Sequence, residues 1–232
     1  MMALPKLEAN RYTCELPISK QKVEYRAFLV KEQKHLLIAG ESEDSTTISK
    51  SVMDLIEQCV LNDVNMRKAP ISDVEYLFVQ IRIKSAGETS DIQLKCEHCE
   101  ELNTVSIPLD KLEMNMEIPD SHIKLANGLG MNMTYPSMQD LELHDNMNET
   151  EQVFALIAAC VESIYEGDEV YTRDDFNNNE LKEFIDSMDI DQFTEVQNYM
   201  TNIPRLEHKV NFVCSHCQAS NELVLSGLSD FF

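Results

Sequence analysis

The sequence predicts an α+β fold: a helical body with an N-terminal β-hairpin and a small β region gathered around paired cysteines. Three observations predict it. Apolar residues recur at helical spacing over long central segments, and alternate in short segments near both ends and in the middle. Two C-x-x-C pairs each lie between alternating segments. The 232 residues are 43 % hydrophobic and 26 % charged, the composition of a chain that buries an ordinary core.

The elements follow in order. Tyr12 to Leu16 and Val23 to Val30 read as strands joined by a polar turn at Ser19 and Lys20; in the second, Val23, Tyr25, Ala27 and Leu29 share one face. Lys31 to Ala39 is a short helix ending at Gly40. Ser45 to Leu61 carries Ile48, Val52, Leu55, Ile56, Cys59 and Val60 at helical spacing. A third helix, capped by Ser72 or Asp73, runs to about Lys84 with Val74, Leu77, Phe78 and Ile81 facing the core. From Asp91 the pattern turns to strand, with Ile92 and Leu94 before the first cysteine pair and Thr104 to Leu109 after it. Strands at His122 to Ala126 and Met131 to Tyr135 are separated by Asn127, Gly128 and Gly130. Residues 136–147 read as a loop, and Thr150 to Ile164 as one helix. Glu166 to Asp175 lacks the ligand order of a calcium-binding hand and reads as a solvated acidic loop. Helices at Asn179 to Met188 and Gln192 to Met200 follow, the latter capped by Asp189 or Asp191. The expected organisation is 1–90 (hairpin and helices), 91–135 (first cysteine pair and β region), 136–205 (helices) and 206–232 (second pair and tail), joined as one unit.

Nineteen basic against forty-one acidic residues give a formal charge of −22. That field repels phosphate backbones and anionic lipid, so it argues against nucleic acid as the main ligand. It suits either solubility or a basic patch on a protein partner. The longest apolar runs, such as Val153 to Val161, are far shorter than the roughly 20 residues needed to span a bilayer. The first residues carry no apolar signal core, which predicts retention in the cytosol.

An odd seven cysteines without an export signal argues against a disulfide framework. Cys14, Cys59 and Cys160 stand alone, and the last two fall in apolar helical patterns where a thiol behaves as a small hydrophobe. The other four pair closely. Ile92-Gln93-Leu94-Lys95-Cys96-Glu97-His98-Cys99 is followed by Asn103, Val105 and Ile107; Val210-Asn211-Phe212-Val213-Cys214-Ser215-His216-Cys217 is followed by Asn221, Leu223 and Leu225. A constant offset of 118 aligns cysteines, histidines, asparagines and flanking apolar residues.

Each segment reads as a zinc knuckle. Two thiolates three positions apart in a tight turn fill half a tetrahedron, and two knuckles complete a Cys₄ shell. Cys96, Cys99, Cys214 and Cys217 are therefore the expected ligands of one structural Zn²⁺, within a zinc-ribbon-like β region. Completion of each half by a second subunit is the alternative left open. A redox dithiol is disfavoured because strands, not a helix start, surround both pairs. His98 and His216 lie inside the loops, where ligation beside both cysteines is awkward; they are expected to hydrogen-bond sulfur. Four thiolates leave no open position for catalysis, and no Gly-rich phosphate loop or Ser/His/Asp pattern stands out. Neither feature points to catalysis.

Several segments then carry a resemblance: Met2-Ala3-Leu4-Pro5-Lys6-Leu7, Tyr25 to Glu32, Asp73 to Phe78, Ile81 to Ser85, Ile164 to Tyr171, Pro204 to His208, and Gly227 to Phe232. In their order and number the sequence resembles the baseplate hub assembly proteins of T4-like contractile-tailed bacteriophages. The resemblance implies a non-enzymatic structural or chaperone-like protein of tail morphogenesis. Its partners would be other hub or tail proteins. It would work in the host cytoplasm during assembly, with a place in the virion tail baseplate also open. Members often keep the paired C-x-x-C and some have lost it, which implies zinc as scaffold. Phe231 and Phe232 are either partner anchors or a tail folded on the core. The rival reading is a zinc-ribbon transcription or nucleic-acid-associated module, against which the charge argues.

Overall fold

The computed structural model of the chain describes residues 9–40, 45–143 and 148–226. Phe231 and Phe232 lie outside the described residues, as does the opening Met2 to Leu7. The fold is α+β. Two compact units divide it: one takes residues up to Asn115 and resumes at Arg205, and the other is Met116–Pro204.

The discontinuous unit opens with β1 (Arg11–Glu15) and β2 (Lys22–Arg26), antiparallel with Tyr12 opposite Tyr25 and Cys14 opposite Val23. Val23 and Tyr25 are buried while Lys22 and Glu24 face water, the period-2 alternation that drives the pairing. The second strand stops at Arg26, short of the expected Val30. There the chain is captured by side chains: Phe28 N–H donates to Ser85 Oγ at 2.9 Å, and the Glu32 carboxylate accepts from Leu29 N–H. α1 (Val30–Gly40) begins at that capture.

α2 (Ser45–Cys59) buries Val52, Met53, Leu55, Ile56 and Cys59. α3 (Ile71–Ala86) buries Val74, Leu77, Phe78 and Ile81, and ends before Gly87, whose φ of 101° suits a residue without Cβ. α1 packs on α2, α2 on α3, and α3 on β2. The expected caps of α3 are not its caps. Pro70 holds the N-cap position, and Asp73, fully buried in the first turn, turns its carboxylate to the β1–β2 hairpin instead.

Past α3 come β3 (Thr89–Lys95), β4 (Leu102–Pro108) and the short β5 (Glu113–Met114). The inserted unit follows, with β6 (His122–Lys124), β7 (Leu129–Met133), α4 (Met138–Leu143), α5 (Glu149–Cys160), β8 (Val161–Glu166), β9 (Glu169–Thr172), α6 (Asn178–Asp186) and α7 (Ile190–Thr201). Its sheet runs β6-β7-β8-β9, antiparallel throughout, over a core that includes Met131, Met133, Ile157, Cys160, Leu181, Ile185 and Val196.

Three expectations change here. The single helix expected over Thr150 to Ile164 ends at Cys160, and Val161 opens a strand with Met133 opposite Val161 and Met131 opposite Ile164. Val161 and Ile164 also continue the helical spacing from Ile157, so periodicity alone did not separate the two states. The acidic segment from Glu166 is half strand: the chain reverses at Gly167, φ 60°, into β9, all of whose residues are exposed. Residues 138–143 of the expected loop form α4, started by Ser137, whose N–H and hydroxyl donate to Asp140 at 2.8 and 2.6 Å. Asn148, Asn177 and Asp189 cap α5, α6 and α7 through full capping boxes, Asp189 as expected.

β10 (Leu206–Val213) and β11 (Ser220–Ser226) complete the discontinuous unit, with β5 on the open edge of β10. Ile92, Leu94 and Ile107 of one hairpin pack with Val210 and Leu225 of the other. Val79 of α3, Leu109 and Leu206 form a second cluster that seats both hairpins on the helix.

Candidate metal centre

The centre is built on the tips of two hairpins. In β3–β4 the register places Leu94 opposite Asn103; in β10–β11 it places Phe212 opposite Asn221. Both tips close alike. Cys96 N–H donates to Glu101 O and Cys214 N–H to Ala219 O, each at 2.9 Å; Glu100 N–H returns to Cys96 O at 2.9 Å and Gln218 N–H to Cys214 O at 3.0 Å. Glu100 and Gln218 take left-handed φ of 63° and 62°, the reversal that lets the first and fourth residues of C-x-x-C face one point.

The four sulfurs meet there. The Sγ atoms of Cys96, Cys99, Cys214 and Cys217 all lie within 4.8 Å of one another. Cys96 Sγ is 3.7 Å from Cys217 Sγ, and Cys99 Sγ is 3.6 Å from Cys214 Sγ. These spacings far exceed a disulfide bond of about 2.05 Å. They match the edge of a tetrahedron with metal–sulfur bonds of about 2.3 Å, which is roughly 3.8 Å. The donor set is soft, closed and contributed by one chain, so it fits a zinc ion. Cys96 and Cys214 are buried, Cys99 is half-buried and Cys217 is exposed.

The surrounding donors favour thiolates on the two leading cysteines. Cys214 is drawn down to about 6, first by the Cys217 N–H, with the His216 N–H and the Asn103 amide adding to it against burial. For Cys96 burial opposes the shift, but the N–H groups of His98 and Cys99 and the Asn221 side chain still draw its thiol below the ordinary value. Cys99 receives the Glu101 N–H, yet burial and three neighbouring sulfurs push it up to about 12. Four crowded sulfurs repel a full set of negative charges, which is the charge problem a divalent cation solves. His98 and His216 serve through their backbone: each N–H donates to the sulfur two residues earlier, at 3.4 Å.

Sequence reasoning aligned Asn103 with Asn221 but assigned them no task. Both are buried, and each reaches across to the opposite hairpin. Asn103 Oδ1 accepts from Ser215 N–H at 2.8 Å while its Nδ2 donates to Cys214 Sγ at 3.5 Å. Asn221 Oδ1 accepts from Glu97 N–H at 2.9 Å. The remaining amide hydrogens tie back to Glu101 O and Ala219 O at 3.0 and 3.1 Å. The clasp is reciprocal. Its signal was a polar residue recurring at a strand position that faces inward after each C-x-x-C.

Comparison with known proteins follows the same extent of chain. The family described as "T4 bacteriophage base plate protein" matches residues 9–232. The sequence is 21 % identical over 223 residues to the Baseplate hub assembly protein gp26 of Enterobacteria phage T4, covering 95 % of this chain and 97 % of that protein. No solved structure matches. With its two units, its twin hairpins and this match from Ala9 onward, the chain belongs to the T4 bacteriophage base plate protein family.

Proposed function

We propose that this chain is a non-enzymatic assembly protein of the phage baseplate hub, acting on other hub or tail proteins in a structural or chaperone-like manner. The observation that carries the reading is the similarity to a baseplate hub assembly protein along nearly the whole of both chains. Cys96, Cys99, Cys214 and Cys217 would hold one structural zinc, making the two hairpins a zinc-ribbon-like unit. When bound, the ion supplies charge neutralisation and a cross-link. With four sulfur ligands it has no position for water, so it is a brace. Asn103 and Asn221 position the two tips and donate to sulfur from outside the ligand set. Zinc-finger peptides indicate an apparent binding energy of about 10–16 kcal/mol, enough to hold segments more than a hundred residues apart.

The place of work is the host cytoplasm during assembly, with the tail baseplate as destination of the product. A charge of −22 favours protein partners with basic surfaces over nucleic acid. No described helix is long and apolar enough to cross a membrane. A pull-down of the tagged chain from infected cells tests the reading. Co-purifying hub and tail proteins are expected; host polymerase subunits or salt-sensitive DNA instead would replace it with the transcription-module reading.

A further inference from the structure

The β1–β2 hairpin closes with the same turn as the two cysteine hairpins. Leu16 N–H donates to Gln21 O at 2.9 Å and Lys20 N–H to Leu16 O at 3.1 Å, matching the bonds at Cys96 and Cys214. Lys20 has the left-handed φ, 58°, that Glu100 and Gln218 have. The strand registers agree as well: Cys14 faces Val23 as Leu94 faces Asn103 and Phe212 faces Asn221. Leu16 and Ser19 thus stand where the other tips carry their two cysteines, so this turn has no thiol at either position.

The turn nevertheless generates the same inward N–H groups, and each must be satisfied when buried. In the cysteine hairpins the third and fourth residues of the turn donate to the leading sulfur. In the first hairpin the corresponding donors, Ile18 N–H and Ser19 N–H, point to the two carboxylate oxygens of Asp73 at 2.8 and 2.9 Å. The second residue of the cysteine turns, Glu97 or Ser215, donates to the asparagine of the facing hairpin. The first hairpin has Pro17 there, which carries no N–H. The Ser19 hydroxyl, at the place of Cys99, finds no hydrogen-bond partner among the described residues.

We infer that the chain contains a third knuckle-type turn, in which Asp73 of α3 supplies the anion that thiolates supply elsewhere, so that this hairpin is fastened without metal. The three backbone positions whose N–H groups face the sulfurs or the asparagine in the cysteine turns are accounted for here: two donate to Asp73 and one is deleted by proline. The discontinuous unit therefore has two independent fastenings. Metal removal frees the β3–β4 and β10–β11 tips from each other and leaves β1–β2 seated on α3. The freeing of the cysteine tips rests on the zinc reading; the seating of β1–β2 by Asp73 does not.

Amide exchange followed by NMR on the full chain tests it, with metal content measured on the same samples. In the wild type, Ile18 and Ser19 N–H stay protected with or without chelator, while His98 and His216 N–H lose protection when metal is removed. Asp73→Ala raises exchange at Ile18 and Ser19 about tenfold or more, the size expected for losing hydrogen bonds to a charged group, with metal content unchanged. Asp73→Asn, which keeps the shape and one acceptor oxygen, gives a smaller rise and serves if the alanine variant does not fold. Unchanged protection at Ile18 and Ser19 in the Asp73 variants, or their loss together with metal, overturns the inference. Purified wild type without metal overturns the zinc reading alone, since the Asp73 comparison still stands.

Discussion

At the scale of single residues, Arg26 and Glu32 form a bidentate ion pair away from the cysteine centre. Glu32 is 2 % exposed and receives both guanidinium nitrogens at 2.9 Å. Arg26 also donates to Ala27 O and Gln58 O, tying β2 to α1 and α2. Burial alone would raise the Glu32 carboxyl, but the Arg26 hydrogen bonds and the Leu29 N–H hold it below the ordinary carboxylate value. A depressed carboxyl stabilises the fold fully above its unfolded value of about 4.3, and that contribution disappears as pH falls through the lower folded value. Arg26→Ala leaves the buried Glu32 carboxylate to the exposed Lys31 ammonium at 3.5 Å and is expected to cost about 3 kcal/mol at neutral pH. Chemical denaturation across pH 7 to 3 checks both points: the deficit of the variant shrinks on acidification, and a deficit independent of pH would count against the pairing. Cys59 and Cys160 are fully buried, and burial pushes their thiols up to about 11 and about 12. A thiol reagent applied to the native protein is expected to spare both and to reach them only after denaturation.

At the scale of elements, legibility depended on whether one pattern had one physical meaning. Strands flanking the cysteine pairs were readable, since alternation, turn and recurrence at offset 118 all pointed the same way. The α5–β8 junction was not, because Val161 and Ile164 suit both a helix face and a strand. Asp73 looked like a cap because side-chain oxygens near a helix start usually bond their own helix; its true partners lie more than fifty residues away. The convergence of the four cysteines was legible by spacing, whereas the asparagine clasp needed the hairpins placed tip to tip. Gly130 was read as a turn residue and proves to be a strand residue, in β7 opposite Tyr165, whose ring lies where a Cβ would stand. Gly130→Ala displaces that ring and is expected to cost about 1–3 kcal/mol. In a double-mutant cycle with Tyr165→Ala the penalty is expected to vanish; an unchanged penalty would locate the strain elsewhere.

For the whole molecule, the chain leaves the discontinuous unit after Asn115 and returns to it at Arg205, so the second cysteine hairpin closes a long loop. Loop closure of this length is unfavourable by only a slowly growing amount, and the packing of Val210 and Leu225 on Ile92, Leu94 and Ile107 offsets part of it. A metal held by the four sulfurs would act on the same contact. Chelation is therefore expected to loosen residues 205–226 and the facing hairpin first, and to lower the melting temperature; an unaltered melting temperature after proven metal removal would argue against a brace. The most direct measurement is elemental analysis of freshly purified, fully reduced chain beside its Cys96→Ser/Cys214→Ser variant. One zinc per wild-type chain and none in the variant is the expected result. A wild type without stoichiometric metal, or a variant that keeps it, would contradict it.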